Sequence, residues 1–551
     1  MQRHVEHHGP AATVAPSRRL RIVTPAAASD ASARRYRIAL AAILGLAFVI
    51  RAAFVLGADF PLNDGGMFFQ MTRDLQANGY ALPEFTSYNG GEIPFTYPPL
   101  GFYVAAALDD LTPLALVDVF RVLPLVASCA IACAFLILAR TMLPSRLHVI
   151  TALVAFVTLP AAFQWMLMGG GITRAPGFVF ALLAIALVNR TFERRSLTDA
   201  MLAGALGGLA MLSHLEMGLV VAYSSALFIL AKGRTPEGVR LAFVMLIAGA
   251  VIVAPWAAVV TARHGLTPYL AAAQSGNSNV FAPIMSLLRY QATIEPFFQL
   301  TGALSLVGAC WLLARRQFLL PAWLVATAVF DSRVFPTSAS FIVAMMAAYA
   351  VVDVLLPLLR GIRSAAADAS SADVTRSAPR WLAPTAVCLG VAYMLLSAVA
   401  TSPRLLTGVT IDERAGMDWV EENTPEASTF AVVSGDRWPI DRTSEWFPAL
   451  AGRRSVATVQ GAEWLPNGAF RAAISDYDAL QVCADRDGEC LQEWADSTAR
   501  SFDYVYIPKL PTRYAGPGEE RCCLTLERFL RQDAAYRLAF DGPGAVIFER
   551  R

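Results

Sequence analysis

The chain has 551 residues, of which 56% are hydrophobic and only 16% are charged. Soluble domains carry about 25% charged residues, so this composition excludes an ordinary soluble protein and predicts a membrane protein with many spans. The net charge of +2, with basic residues scattered at the ends of the apolar segments, gives no sign of nucleic-acid binding, and we expect no nucleic-acid partner. The few histidines and cysteines lack paired ligand spacing, which excludes a structural zinc site.

Residues 1–35 are polar, basic and rich in Ala and Pro, which predicts a disordered cytoplasmic tail. From residue 36 to 400, apolar segments alternate with short polar connections, and we predict a polytopic α-helical membrane domain with about eleven transmembrane helices. The predicted spans cover about 38–57, 118–140, 147–167, 175–189, 199–213, 217–231, 241–261, 297–313, 318–330, 337–359 and 381–400.

Lys and Arg cluster at alternate connections, those after the second, fourth, sixth, eighth and tenth predicted spans. The positive-inside rule places these connections in the cytoplasm, together with the N-terminus. An odd number of spans then places residues 401–551 on the other side of the membrane. We therefore expect a multi-pass protein of the plasma (inner) membrane with an extracytoplasmic C-terminal domain.

The most informative stretch is the external loop after the first predicted span, residues 59–117. Its segment Gly65–Ala77 has the apolar spacing of a short amphipathic helix. Leu100–Leu108 is too short to cross a bilayer and predicts a second interfacial helix. Asp64 precedes two glycines, where backbone can come close to whatever the carboxylate touches. Asp64 is either the N-cap of the first helix or a functional carboxylate at the membrane surface.

The first external loop has an acid near its start, Asp64, and an aromatic residue before Pro-Pro-Leu near its end, Tyr97. In this pattern it resembles the first external loop of glycosyltransferases of the C superfamily, GT-C. Protein O-mannosyltransferases and bacterial aminoarabinose transferases belong to that superfamily. The resemblance implies sugar transfer from a polyprenyl-phosphate carrier to an acceptor hydroxyl outside the cytoplasm, with inversion and with Asp64 as general base. A glycan, a lipid or a protein remains open as the acceptor. The Trp-Trp-Asp signature of oligosaccharyltransferases is missing from the sequence, so we do not predict a sequon-binding enzyme.

Basic residues at other external connections are candidates for binding the donor phosphate. The superfamily commonly uses a basic side chain from a late external loop, and Arg333 fits because its planar fork donates paired hydrogen bonds. Arg174 and His214 are the further candidates. Each has a structural alternative: an interfacial salt bridge or helix cap for Arg333, snorkelling for Arg174, and a tight capped turn for His214. The remaining residues expected in the substrate cavity are Gly65, Tyr97, Glu216 and Asp331.

Residues 401–551 alternate predicted strands with predicted helices, which indicates a small α/β domain. The predicted strands are Thr429–Ser434, Phe502–Ile507 and a hairpin of Tyr536–Phe540 with Ala545–Phe548, and the predicted helices are Met417–Asn423 and Cys523–Arg531. Two aromatic and acidic segments, 434–450 and 460–464, either pack in the core of this domain or form a sugar-facing rim over the catalytic loop.

Four cysteines, Cys483, Cys490, Cys522 and Cys523, lie in this polar domain. An even number of cysteines in an external domain predicts disulfides. Three pairings are open, and two of them join each of the adjacent Cys522 and Cys523 to one member of the Cys483/Cys490 pair.

The alternative function is a flippase or transporter of a lipid-linked substrate. Transporters often consist of two similar halves with broken helices, and the sequence shows no such repeat and carries a large external domain instead. No cofactor is certain. Some GT-C members hold a divalent cation, Mg²⁺ or Mn²⁺, between paired acids, and the lack of a second acid beside Asp64 favours a reaction without one. The expected partners are a polyprenyl-phosphate-linked sugar donor, the acceptor and membrane lipid.

Overall fold

The computed structural model describes residues 30–91, 93–276, 281–290, 292–359, 381–401, 405–510 and 521–551. Most of the chain is helical. The helices before the C-terminal domain are α1 (Asp30–Leu56), α2 (Gly66–Ala77), α3 (Leu100–Leu111), α4 (Leu116–Met142), α5 (Arg146–Thr158), α6 (Gln164–Leu167), α7 (Gly171–Arg194), α8 (Leu197–Ser213), α9 (Leu215–Lys232), α10 (Pro236–His264), α11 (Thr267–Ser275), α12 (Ala282–Leu288), α13 (Leu300–Ala314), α14 (Leu319–Phe330), α15 (Phe335–Tyr349) and α16 (Leu382–Thr401).

The first helix begins earlier than we predicted. α1 starts at Asp30, inside the stretch 1–35 that the composition marked as a disordered tail. The reason is local: the residues from 31 to 35 are alanine, serine and arginine, and alanine and arginine favour the helix. Residues 1–29 lie outside the described residues.

Among the described residues, six helices are long and apolar enough to cross a membrane: Ala33–Leu56, Leu116–Met142, Gly171–Arg194, Leu215–Lys232, Pro236–His264 and Phe335–Leu359. A bent pair, Arg146–Thr158 with Pro160–Leu167, makes a seventh if it is one span. Four shorter apolar helices occupy the other predicted spans, at Leu197–Ser213, Leu300–Ala314, Leu319–Phe330 and Pro384–Ala400. Each predicted span is thus largely helical, while the number eleven stays a prediction.

Five connections meet at one end of these helices. The segments that follow α1, α6, α8, α10 and α14 all contribute residues to a single cavity. The C-terminal domain lies at the same end, since the backbone N–H of Asn63 donates to the carbonyl of Thr407 at 2.8 Å. The basic connections after α4, α7, α9 and α13 lie at the opposite ends of the same helices. In the structure, the basic connections therefore lie at one end of the helix bundle, and the cavity lies at the other, which is the arrangement from which we predict the orientation.

We expect the end with the cavity to face away from the cytoplasm. Alkaline phosphatase is active only outside the cytoplasm, so a fusion after Thr407 should be active. A matched fusion after Gly233, in a basic connection, should be inactive, and green fluorescent protein at the same two points should give the reverse pattern. An inactive phosphatase after Thr407 would contradict the orientation.

The helix that leads back to the cavity is broken. α5 ends at Thr158, and Pro160, which lacks an N–H, cannot continue its hydrogen-bond ladder. The two halves meet at 82°. The side chain of Arg51 from α1 donates to the carbonyl of Val157 at 3.3 Å, a group that the break leaves without its helical partner. Because the helix is broken here, α6 lies in the cavity wall, and the glycines that follow α6 lie beside it.

The first loop holds the two predicted interfacial helices, α2 and α3, and a short hairpin of β1 (Phe85–Thr86) with β2 (Ile93–Pro94). The C-terminal domain consists of helices α17 (Ile411–Asn423), α18 (Arg442–Ala451), α19 (Ala469–Gln481), α20 (Gly488–Thr498) and α21 (Leu524–Gln532), with strands β3 (Thr429–Val432), β4 (Arg454–Ser455), β5 (Tyr504–Pro508), β6 (Tyr536–Asp541) and β7 (Ala545–Arg550).

The strands form one five-stranded sheet in the order β4-β3-β5-β7-β6. β4, β3 and β5 run parallel, while β7 is antiparallel to β5 and to β6. Every strand and helix predicted for this domain is present, but α17 begins at Ile411, six residues before its predicted start at Met417. Sequence reasoning missed α18, α19, α20 and β4.

One face of this sheet shares a core with the first loop. Side chains alternate along a strand, so Ala431 faces one cluster of the domain, and Phe430 and Val432 face another. The second cluster also contains Met67 of α2 and Phe102 of α3. The C-terminal domain and the loop are therefore packed together as one body.

The four cysteines of the domain lie in the same region and pair differently from the cross-linked pattern left open above. Cys483 bonds Cys490, with the two Cα atoms 5.6 Å apart, and Cys522 bonds its neighbour Cys523. The short segment between Cys483 and Cys490 turns back on itself through the start of α20, which brings these two thiols together. The formation of disulfides in the cell stays a prediction.

Candidate active site

A cavity of about 450 Å³ lies between the ends of the membrane helices and the C-terminal domain. Clefts of this size hold small ligands. Its floor and one wall come from the first loop, α6, α7, the α8–α9 turn, α11 and the α14–α15 connection. The opposite wall comes from the C-terminal domain. Its polar lining residues are Asp64, Tyr97, Arg174, His214, Glu216, Ser275, Arg333, Thr337, Glu445, Gln460 and Glu463.

Asp64 reaches this cavity because the backbone around it is sharply turned. Asn63 and Gly65 both have positive φ, 52° and 122°, and the second value suits only glycine. Oδ1 of Asp64 accepts a hydrogen bond from the backbone N–H of Gly170 at 2.9 Å, and Oδ2 pairs with the guanidinium of Arg174. Gly65, not Asp64, is the N-cap of α2, so the N-cap interpretation of Asp64 is wrong.

The glycines around Asp64 allow backbone to meet backbone. A Cβ on Gly66 would lie 2.4 Å from the carbonyl oxygen of Glu445, and a Cβ on Gly169 would lie 2.1 Å from the carbonyl oxygen of Asp64. Neither position has room for a side chain. The first loop, at its Asp-Gly-Gly sequence, therefore packs directly on the Gly-Gly-Gly sequence at the start of α7. This contact places the carboxylate of Asp64 at the N-terminus of α7, where the helix dipole favours a negative charge.

Arg174 is held on both sides. Its guanidinium binds Asp64 and lies 5.4 Å from the ring centroid of Trp165. The side chains of Arg174 and Asp64 are only 17% and 15% exposed. This partial burial, with a paired carboxylate, does not fit the interpretation of Arg174 as a snorkelling residue, because a snorkelling side chain keeps its charged head in water.

Three further predicted residues form a chain along the membrane side of the cavity. Nε of Arg333 lies 4.0 Å from one carboxylate oxygen of Glu216, and Nδ1 of His214 lies 3.8 Å from the other. The His214 ring meets the edge of Tyr97, with the centroids 5.8 Å apart. Burial lowers the pKa of His214 to about 4, so at neutral pH it is an uncharged hydrogen-bonding group. Arg333, with 45% of its side chain exposed, is the accessible cation.

Two predicted cavity residues do not line the cavity. Gly65 has no side chain, and its N–H points to Glu445. Asp331 is 4% exposed and accepts a hydrogen bond from Ser338 of α15. Asp331 therefore has a structural role, as a cap in the α14–α15 connection, and does not line the cavity as we predicted.

The wall from the C-terminal domain is the part that sequence reasoning left open. Trp446 is fully buried and donates to the carbonyl of Asn63 at 2.8 Å, so it belongs to the core. The cavity is lined by Glu445, Glu463 and Trp464. The two aromatic and acidic segments therefore contribute both to the core of the C-terminal domain and to the cavity wall. One signal for α18 was available: Asp441, whose side chain accepts from Ser444 N, is a typical N-cap.

Glu445 is the residue of this wall that lies nearest to Asp64. Its Oε1 accepts from the N–H of Gly65 at 2.7 Å, and its Oε2 accepts from Nε2 of Gln460 at 3.1 Å. Burial, together with the negative charge of Asp64, raises the pKa of Glu445 to about 8. The two neighbouring acids therefore differ: Asp64 has a guanidinium partner, and Glu445 favours its protonated form at neutral pH.

This difference predicts how stability depends on pH. The carboxyl of Glu445 binds its proton more tightly when folded than when unfolded, so the free energy of unfolding falls as pH rises from the unfolded value near 4.5 to the folded value of about 8. Glu445→Gln keeps a neutral side chain and removes this dependence. We expect thermal unfolding to show the wild type losing stability relative to Glu445→Gln between mildly acidic and mildly alkaline buffer. If the unfolding temperatures of the two proteins changed equally with pH, the result would contradict this prediction.

No group of three or more His, Cys, Asp or Glu side chains that could hold a metal occurs among the described residues. In the cavity, the carboxylate of Asp64 already contacts Gly170 and Arg174, and that of Glu445 contacts Gly65 and Gln460. A divalent cation on Asp64 would lie beside the positive charge of the Arg174 guanidinium, which repels it. These residues do not fit Mg²⁺ or Mn²⁺, and no step below is routed through a metal.

The sequence matches no protein-family model and no curated protein. Solved membrane proteins nevertheless share its fold. The archaeal oligosaccharyltransferase AglB from Archaeoglobus fulgidus, in complex with an inhibitory peptide and a dolichol-phosphate, aligns at a TM-score of 0.55 and 14% identity over 85% of this chain and 69% of its own. The arabinofuranosyltransferase AftD from Mycobacteria aligns at 0.53 and 13% over 94% of this chain and 40% of its own.

ArnT from Cupriavidus metallidurans bound to undecaprenyl phosphate aligns at a TM-score of 0.50 and 15% identity over 92% of this chain and 97% of its own. All three are GT-C glycosyltransferases. The chain has the GT-C fold. It is an integral membrane protein. The GT-C fold explains why the first loop, the helix ends and a C-terminal domain meet around one cavity.

Proposed function

We propose that this protein is a membrane glycosyltransferase that moves a sugar from a polyprenyl-phosphate carrier to an acceptor hydroxyl on the extracytoplasmic side. The observation that carries the proposal is the position of Asp64: a carboxylate held by backbone and by Arg174 at the wall of a cavity that also contains an accessible arginine. A GT-C fold and lipid-phosphate ligands in two of the similar structures support it.

The proposed reaction is a single displacement at the anomeric carbon. The acceptor oxygen forms the new bond to that carbon, the bond from carbon to phosphate oxygen breaks, and the polyprenyl phosphate leaves with its electron pair. The proton of the acceptor hydroxyl passes to the carboxylate of Asp64. Each carboxylate oxygen of Asp64 has one contact within the protein, which leaves a second lone pair for the hydroxyl. Inversion at the sugar follows from one displacement.

The phosphate is proposed to lie toward the membrane side of the cavity. Arg333 is exposed enough to reach it, and it is only loosely paired with Glu216 at 4.0 Å. Neutral His214 would donate a hydrogen bond there, and Arg174 would add charge from behind Asp64. Positioned charges of this kind stabilise a leaving phosphate most in a site that excludes water.

The lipid tail has a proposed place in an apolar groove of about 570 Å³ between α8, α9 and α10. Small residues line it, among them Gly207 and Gly218. Gly218 lines the groove and its neighbour Met217 lines the cavity, so both spaces reach the first turn of α9. A carrier would thus place its tail along the helices and its phosphate beside His214.

The proposal is tested by incubating the purified protein with a polyprenyl-phosphate carrier bearing radiolabelled sugar, together with cell-envelope fractions as acceptor. Transfer releases polyprenyl phosphate and moves the label to an acceptor in equal amounts. A flippase would leave the label on its carrier and change only the side of the membrane on which it lies, which a protected-carrier assay in vesicles measures. Intact carrier in both assays would overturn the proposal.

A further inference from the structure

The two walls of the cavity differ in charge. The membrane wall holds both of its arginines, Arg174 and Arg333. Of the described lining residues, those from the C-terminal domain include no Lys, Arg or His, and instead supply two carboxyls, an amide and two indoles. A phosphate is attracted to the first wall and meets no cation among the cavity-lining residues of the second. The second wall therefore suits a ligand that is uncharged and rich in hydroxyls.

The carboxyls and the amide of this wall are fixed before any ligand binds. Glu463 accepts from the N–H of Gly461 at 2.9 Å, and Gln460 donates to Glu445 at 3.1 Å. Trp464, at 4% exposure, meets the edge of Tyr97 with the ring centroids 5.6 Å apart. Groups held in this way accept and donate hydrogen bonds at set positions without a large loss of side-chain entropy on binding.

Aromatic rings continue from the cavity along this wall. Trp438 lines the cavity, and its ring meets Phe470 edge-on at 5.5 Å. Phe470 lines a second cavity of about 250 Å³, between α11 and the start of α19. Ser275 lines both cavities, so they adjoin. Gln274 and Arg471 supply hydrogen-bonding groups to the second one.

We propose that the acceptor of this enzyme is an uncharged oligosaccharide, bound over the half-buried Trp438 of the C-terminal wall with its attacking hydroxyl beside Asp64. The inference rests on the proposed glycosyltransferase function. The flat apolar face of a sugar ring packs against an aromatic ring, while its hydroxyls bond carboxylates and amides. Two adjoining cavities joined by aromatic rings give room for more than one sugar unit.

The test uses the full-length protein purified in detergent and saturated with undecaprenyl phosphate, which occupies the phosphate side. Its binding to immobilised uncharged mono- and oligosaccharides is compared with binding to Ser/Thr/Asn-rich peptides and to vesicles of phosphatidylglycerol. We expect an uncharged oligosaccharide to bind more tightly than its monosaccharide. Trp438→Ala should weaken that binding by roughly tenfold, as for an anchoring aromatic residue, and should leave undecaprenyl phosphate binding unchanged.

Trp419→Ala is the matched control. Trp419 is also half-buried in the C-terminal domain and also packs on one aromatic ring, Phe540 at 5.1 Å, but it lines neither cavity. Oligosaccharide binding should survive this change. Binding of peptides or phosphatidylglycerol in place of saccharides, or equal loss in both tryptophan variants, would overturn the inference. If undecaprenyl phosphate itself does not bind, the proposed function fails instead.

Discussion

Asp64→Asn is expected to lose sugar transfer by roughly 10²–10⁴-fold, the usual contribution of a general base. Asparagine keeps an oxygen for the N–H of Gly170 but cannot take the proton of the acceptor. The variant should lose some stability, because the guanidinium of Arg174 is left without its anion. The protein that folds should still bind the lipid donor, because Arg333 and the apolar groove are untouched. Transfer per folded protein and binding of undecaprenyl phosphate are the two measurements.

Glu84→Gln is the control for this prediction, since Glu84 lies in the same loop but does not line the cavity. It should retain nearly full activity. We expect the same of Glu92→Gln, although Glu92 lies outside the described residues. Near wild-type transfer by Asp64→Asn would mean that another residue is the base. Glu216 would then be tested first, because Asp331 is buried against Ser338.

Arg174→Gln is expected to reduce both stability and activity. It leaves the carboxylate of Asp64, only 15% exposed, without its cation. Removing one partner of a buried pair costs about 3–5 kcal/mol, and the low exposure of both side chains places this pair in that class. Thermal unfolding in detergent should show a clear loss, and transfer should fall because the carboxylate is no longer oriented.

The double variant Asp64→Asn with Arg174→Gln separates these two effects. Neither side chain is then charged, so most of the lost stability should return, while transfer stays absent. An Arg174→Gln protein with wild-type stability would contradict the pairing and would restore snorkelling as the interpretation of Arg174.

Sequence patterns predicted the fold well because its rules are local. The length of the apolar segments predicted the membrane helices, short apolar runs predicted β3 and β5, and a Gly-Pro-Gly turn predicted the β6–β7 hairpin. The boundary of α1 was missed because the basic composition of the tail outweighed its helix propensity. The number of membrane crossings cannot be settled by length, since several helices such as α14 are shorter than a bilayer is thick.

The candidate site was predictable only in part. Asp64, Arg174 and Arg333 could be chosen because charged groups beside apolar helices are costly and therefore informative. Glu445 could not be placed, because its meeting with Gly65 depends on a contact between residues 380 positions apart. We wrongly placed Asp331 in the cavity, although its contact is short-range: its partner Ser338 lies one turn into the next helix. Contacts of this kind are common at helix ends, so the sequence did not mark this one as structural.

The contact between Trp446 and Asn63 spans 383 residues of chain, and it affects how the protein matures. The ribosome releases the first loop long before the indole that holds its turn and before Glu445 beside it. Asp64 therefore cannot take its final position until the C-terminal domain has been made. A chain that is stalled or cut before this domain would lack both contacts that fix the turn at Asp64.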